Sequence, residues 1–436
     1  MYRYPMTTFN LGKIYYGWWI ALTALAINAL LSAPTYGSTG LWIDSLEKEF
    51  GWGRTQLAIA FTLGQFENGV AGPLVGYLID KIGPKKVAVM GVVIVAAGFI
   101  VLSQTVPFGD NPEYFLSPIM FYFAYILIML GNTMGGFIPM MVLTNNWFTR
   151  YRSLAMAVVS LGFSLGTFLL VPLMAILISP NFLGWRNASI LVAFIAILLP
   201  LLLWKVIQDV PTSPKHVKEF ETKENIPFRK TKPLKSLDFT IHEAMKEKSF
   251  WFMGLGHGAS AMLTSTMMVH LILAFNNQGL SIEMSALMWG IAMGIGGIGQ
   301  LAGGIVGDRV PKEISNWAFG ALQAVGVFIA VYVSNILIAI LFAIIYGIGF
   351  GARAPLTTAM RGEYFGRKSF GKIMGVSMIP MMLLTLSGPW ITSILYENTG
   401  NYESGFLLIG AAGFVSHSLI IYAIQLSNLS FVTNFQ

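Results

Sequence analysis

Two charged residues stand inside long apolar runs of this 436-residue chain, and each carries usable chemistry. Arg353, in Gly349-Phe-Gly351-Ala-Arg353-Ala-Pro355, offers a guanidinium that can pair with an anion, bidentately if the anion is a carboxylate. Glu67 is the only acid deep in the first half of the chain and offers a carboxyl able to carry a coupling proton. A lone charge at the centre of a membrane helix costs roughly 2.5–3.5 kcal/mol, so each of these groups needs a partner or a task. The structural alternative for Arg353 is a berth on helix-end carbonyls or on Glu363. For Glu67 it is packing or gating, with Gln65, Asn68 or another helix as partner.

A second tier of polar residues lies in other apolar runs: Asn28 and Thr35, Tyr125 and Asn132, His257 and His270. Each can touch a small polar ligand or simply hydrogen-bond to a neighbouring helix. The chain has no Cys and its five His show no metal-ligand spacing, so disulfides, Cys-ligated metals and a metal cofactor are not expected. No Gly-xxxx-Gly-Lys-Ser/Thr phosphate loop occurs. Nor does any cluster of His, Asp, Glu or Ser sit at one depth, which argues against an integral membrane enzyme.

The elements that must hold these residues follow from composition. The chain is 55% hydrophobic and 11% charged; a soluble domain carries about 25% charged residues. Apolar runs of about 20 residues, each long enough to cross the hydrocarbon, recur throughout. The spacing predicts twelve helices, near 15–43, 54–80, 87–106, 116–146, 153–179 and 186–208, then 247–277, 284–308, 315–334, 336–360, 369–396 and 404–426. Met1 to Lys13 is short and polar and does not read as a cleavable signal. Residues 209–246 are polar and hold four Pro; they read as a linker between bundles 1–208 and 247–436, ending in a short amphipathic helix over Thr240–Lys248 that lies on the membrane surface. Tyr36, Trp42 and Trp18 read as packing or interface residues, and the Met-rich stretches 262–268 and 378–382 as adaptable packing.

The chain repeats itself. Gly76-xxx-Asp80-Lys81 with Gly83 and Lys85 returns as Gly304-xxx-Asp308-Arg309, and 304 − 76 = 308 − 80 = 228. Gly131, Gly135 and Pro139 return as Gly347, Gly351 and Pro355, each 216 residues on. Gly at such positions lets helices approach closely, and Gly83 permits a tight turn. The Asp can accept hydrogen bonds from the N-terminus of a neighbouring helix, which favours an anion. That contact would latch two half-chains together at one membrane face.

Orientation follows from Lys and Arg. With the N-terminus in the cytoplasm, all but four of the 27 basic residues fall on the cytoplasmic side; Lys48, Arg54 and Arg186 lie outside and Arg353 within the membrane. This asymmetry explains the net charge of +7 without nucleic acid, and it puts both termini inside.

The paired Gly-xxx-Asp motif, twelve spans and long central loop resemble the major facilitator superfamily over essentially the whole chain. Phe148-Thr-Arg150-Tyr-Arg152-Ser-Leu154-Ala155-Met-Ala157, with Gly162 and Gly166, is similar to the helix 4–5 signature of monocarboxylate porters and oxalate/formate antiporters. Gly349 to Pro355 with Tyr364-Phe365-Gly366-Arg367-Lys368 looks like bacterial members of that group. The resemblance implies an all-α membrane fold of two pseudo-symmetric six-helix bundles. It also places the first, fourth, seventh and tenth helices around a central cavity and the second at the contact between bundles. Animal-type members carry an acid and a Lys in the first helix and an Asp/Arg pair in the eighth. Here the first reads Tyr15-Tyr16-Gly17-Trp18-Trp19, and the eighth offers only Gln300 before Asp308.

The reading that results is a secondary transporter of a small organic anion, a mono- or dicarboxylate, in the cell (inner) membrane. It works by alternating access, as proton symport or anion exchange, and requires no oligomer. Alternatives are an exporter of amphipathic or drug-like compounds and a non-transporting nutrient sensor.

Overall fold

The computed structural model describes residues 15–109, 111–149, 151–211 and 238–433. Arg150, residues 1–14 and linker residues 212–237 lie outside that set, as do the side chains of Gln65 and Asn68.

The first span is α1 (Tyr16–Ser32), a π turn over Ala33–Gly37, and α2 (Thr39–Phe50). Then come α3 (Arg54–Ile82), α4 (Pro84–Ser103), and the fourth span as α5 (Ile119–Gly135) and α6 (Phe137–Trp147). The fifth span is α7 (Arg152–Leu165), a second π turn over Gly166–Leu170, and α8 (Val171–Ile178); α9 (Gly184–Val206) is the sixth. A short α10 (Ile241–Lys246) leads into α11 (Lys248–Asn277), α12 (Ile282–Gly307), α13 (Lys312–Val331) and α14 (Ile336–Phe365). The eleventh span is α15 (Phe370–Val376) and α16 (Met378–Thr399), and α17 (Glu403–Thr433) is the last. Among the described residues, ten of these spans are long and apolar enough by themselves to cross a bilayer.

Proline explains where the spans are interrupted. A Pro has no N–H to give the carbonyl four residues back and crowds it. Pro139 meets Gly135 at the α5/α6 break, Pro380 meets Val376 at the α15/α16 break, and Pro34 and Pro172 sit at the two π turns. The first and tenth spans run past their predicted ends, 43 and 360. In α2 the acids and Lys48 stop the apolar run, but Trp42 and Leu46 stay buried and Gly51, at φ 69°, ends the helix. In α14 Arg361 and Glu363 stop the apolar run, yet the helix continues to Gly366 at φ 78°. Thr240 caps α10 by accepting from the Glu243 N–H, while Glu243 accepts from the Thr240 N–H and hydroxyl. Those bonds hold the Glu243 carboxyl below its usual range.

One buried cluster, from Tyr15 to Ile207, forms the core of the first six spans and reaches across to Ala359, Phe370 and Met374, and a second, from Met262 to Ile409, forms that of the last six. The fold is all-α, two six-helix bundles meeting along α3, α6 and α7 on one side and α12, α14, α15 and α16 on the other.

Candidate functional site

The joint between the bundles is built twice. On α3, Gly69, Gly72, Gly76 and Asp80 form one stripe. A Cβ on Gly69 would overlap Met382, one on Gly72 would sit 2.9 Å from the Gly375 carbonyl, and one on Gly76 would overlap the Gly371 backbone. Asp80 then accepts the Gly371 N–H at 3.2 Å and the Lys372 N–H at 3.3 Å, at the start of α15. On α12 the corresponding stripe is Gly297, Gln300, Gly304 and Asp308, each 228 residues on. Gly297 faces Leu161 and Ser164, Gln300 donates to Ser164 Oγ at 3.2 Å, and Gly304 packs on Leu154 and Ala157. Asp308 accepts the Ser153 and Leu154 N–H groups at 3.0 and 3.1 Å, at the start of α7. Each bundle thus places a carboxylate on the first turn of a helix in the other, where unpaired N–H groups favour it.

The surrounding loops reinforce the joint. Gly83 turns at φ 92° between α3 and α4. Lys85 donates its N–H to Asp209 at 2.8 Å and its ammonium to the Trp204 carbonyl at 2.7 Å, so it braces α4 against the start of the linker. Asp238, at the far end of the linker, accepts from the Arg367 and Lys368 N–H groups. Arg367 reaches across to the Phe148 carbonyl and Thr149 hydroxyl. Arg309 is exposed.

The intramembrane charges divide differently from the sequence expectation. Arg353 lies on α14, only 3% exposed, and donates to Thr357 Oγ1 at 2.9 Å; Thr357 in turn bonds Asn316 on α13 at 3.1 Å. Glu363, its expected structural partner, pairs instead with Lys312 at 2.6 Å, because nearly three turns of helix separate it from Arg353. Arg361, counted from sequence as a cytoplasmic flank, is 1% exposed. Two of its N–H groups share Nδ1 of His257 at 3.2 Å, so that nitrogen accepts and the imidazole is neutral. Arg353, Thr357 and Arg361 follow at intervals of four, one stripe of one helix. That spacing is the signal by which Arg361 was findable. Neither guanidinium has a carboxylate partner among the described residues. Beside them Gln323 binds Ser260, Thr264 and Tyr346, which gives the second bundle a polar seam among α11, α13 and α14.

The second tier is scattered. Asn28 and Asn132 converge, each with its side-chain oxygen 3.5 Å from where a Cβ on Gly136 would lie, and Asn28 donates to the Val159 carbonyl. Tyr125 bonds Thr39 at 3.1 Å, inside the first bundle. Thr35 bonds the Leu31 carbonyl of its own helix. His270 bonds the Pro389 carbonyl at 3.0 Å, a helix–helix tie, and lies thirteen residues, about 20 Å along α11, from His257. Trp42 is buried and donates to the Pro34 carbonyl.

Glu67 is partly buried, and neither of its carboxyl oxygens has a hydrogen-bond partner among the described residues. Two residues separate it from Gly69, about 200° around the helix. Gly69 packs on Met382 of the other bundle, and the helical turn therefore sets Glu67 on the opposite face of α3.

Comparison with known proteins is consistent across sequence and structure. The family model described as Major Facilitator Superfamily matches residues 14–352. Monocarboxylate transporter 11 of Homo sapiens is 26% identical over 91% of this chain and 80% of its own length. The oxalate:formate antiporter of Oxalobacter formigenes is 27% identical over 39% of this chain and 38% of its own. Among solved structures, the proton:xylose symporter XylE superposes with a TM-score of 0.70 at 15% identity, over 95% of this chain and 96% of that one.

Proposed function

The chain belongs to the Major Facilitator Superfamily, a multi-pass membrane transporter, and on that premise we propose that it carries a small organic anion, a mono- or dicarboxylate, by alternating access. The observation that carries the choice of an anion is the pair Arg353 and Arg361, two guanidinium groups buried on one stripe of α14 with no carboxylate among the described residues to balance them. A buried charge without a counter-charge is costly, and a substrate carboxylate would supply one. The names of the relatives, monocarboxylate transporter and oxalate:formate antiporter, point to the same chemistry. Both guanidinium groups are covered in this conformer by α11 and α13 of their own bundle, so the anion reaches them through a rearrangement within the second bundle that accompanies the movement.

The movement is a rocking of 1–208 against 247–436 about a midplane site. The two Asp contacts latch the basic face shut, and opening that face breaks them. The basic face is cytoplasmic, with both termini there, in the cell membrane. Energy comes from a proton gradient through Glu67 or from exchange of one anion for another.

The test is counterflow in proteoliposomes loaded with pyruvate, lactate, formate, oxalate or larger carboxylates against labelled counterparts. Saturable exchange that Arg353→Gln or Arg361→Gln abolishes is the expected result. No exchange with any carboxylate, from protein that binds and moves another class of solute, would overturn the anion reading and leave the fold intact.

A further inference from the structure

The two joints differ in how their cations are balanced. Beside Asp308, Lys312 is neutralised by Glu363 at 2.6 Å. Beside Asp80, Lys81 of α3 and Lys372 of α15 both converge on the Tyr77 ring, 5.7 and 5.2 Å from its centroid, and neither has a carboxylate partner among the described residues. Asp80 itself is occupied by the two N–H groups of α15. Lys85, the next cation, is held by the Trp204 carbonyl.

Tyr77 ends an exposed apolar stripe. Phe66, Val70, Leu74 and Tyr77 are each about half exposed and follow at intervals of four, four and three along one face of α3. An apolar face of that kind in a membrane protein meets lipid, and a tyrosine at its end marks the headgroup level. Two ammonium groups at that level, neither in a salt bridge among the described residues and only Lys372 within the field of Asp80, fit a phosphodiester.

We propose that Lys81, Tyr77 and Lys372 form a binding site for the phosphate of an anionic phospholipid. One lysine comes from each bundle, so a phosphate between them ties α3 to α15 where Asp80 does. The lipid source is favoured over free phosphate because the ring between the lysines belongs to the lipid-facing stripe. Binding stands independently of the transport reading; only its consequence, a stronger hold on the closed basic face, rests on the latch.

The test uses the full chain in phosphatidylcholine nanodiscs with increasing phosphatidylglycerol. Bound lipid is counted by native mass spectrometry, and hydrogen exchange is followed at the Gly371 and Lys372 amides. Phosphatidylglycerol should be retained and should slow exchange at both amides. Lys81→Gln and Lys372→Gln should each weaken retention about fivefold, in line with the attraction of one lysine to an anionic surface, while Lys81→Arg should keep it. Unchanged retention in the double variant would overturn the site. Equal protection by inorganic phosphate in pure phosphatidylcholine would overturn the lipid as its occupant. Retention lost with amide protection unchanged would overturn the tie between bundles.

Discussion

Asp80 and Asp308, 228 residues apart, each accept two backbone N–H groups from the first turn of a helix in the opposite bundle. The glycines one and two turns before each Asp, with Gln300 standing where Gly72 stands, bring the backbones close enough for those bonds. The joint is therefore a duplicated object, with polarity reversed: the first bundle gives a carboxylate to α15 and the second returns one to α7.

Neutralising either Asp should loosen the closed basic face. An anion at a helix start contributes about 1 kcal/mol, and each Asp→Asn should therefore raise the open fraction about fivefold. The chain has no Cys, so a Lys86→Cys, Val310→Cys pair, both at exposed positions, can carry spin labels without background. A distance distribution unchanged in Asp80→Asn and Asp308→Asn would show that the contacts do not hold the state.

Glycine at the joint should be irreplaceable. A Cβ on Gly76 overlaps the Gly371 backbone, which cannot move aside as a flexible side chain could. Gly76→Ala should abolish exchange while the protein still inserts. Gly294→Ala, on α12 with nothing within 4 Å, is the control and should stabilise its helix by up to about 1 kcal/mol. Equal activity of the two variants would remove the close-approach argument.

The repeat at offset 228 made the joint legible in the sequence, because glycine and aspartate at helical spacing have few other uses inside a membrane. The seam in the second bundle was less legible. Arg353 stood out by its apolar surroundings, whereas Arg361 lies four residues from the helix end among other basic residues and reads as a flank. Only the continuation of α14 to Phe365 puts it indoors beside His257. His257 and His270 share a helix and looked equivalent. Their partners, a guanidinium and a proline carbonyl, depend on which neighbour each faces, and a single sequence does not encode that locally.

Glu67 should separate coupling from exchange. It stands on the face of α3 opposite Gly69, and its carboxyl has no hydrogen-bond partner among the described residues. If it carries the proton, Glu67→Gln should retain counterflow at equal pH and lose uptake driven by an imposed pH gradient. Gradient-driven uptake at the wild-type rate would leave Glu67 a packing residue.

Lysine should not replace either guanidinium. Arg361 spreads two N–H groups over His257, and a compact ammonium would forfeit the fork that also fits a carboxylate. Losing one charge-assisted pair costs about 1.5–3 kcal/mol, so Arg361→Lys should weaken apparent affinity roughly 10- to 100-fold. Normal affinity in Arg361→Lys would assign this residue to packing.

Asn145 supplies the opposing weight. Its side chain is fully buried, with neither polar atom hydrogen-bonded among the described residues, and it presses against Gly362 of α14 across the joint. An unpaired buried amide costs about 1–3 kcal/mol, and opening the basic face would let water relieve it. The closed state thus contains both the Asp contacts that favour it and a group that opposes it, which keeps the two states close in free energy. Asn145→Leu removes the penalty at similar volume. It should move the labelled pair toward the closed distance and slow counterflow several-fold, opposite in sign to Asp80→Asn. The double variant should return toward wild type, since the two effects act on one equilibrium. A shift of Asn145→Leu toward the open state would mean that the amide stabilises the joint and that the balance lies elsewhere.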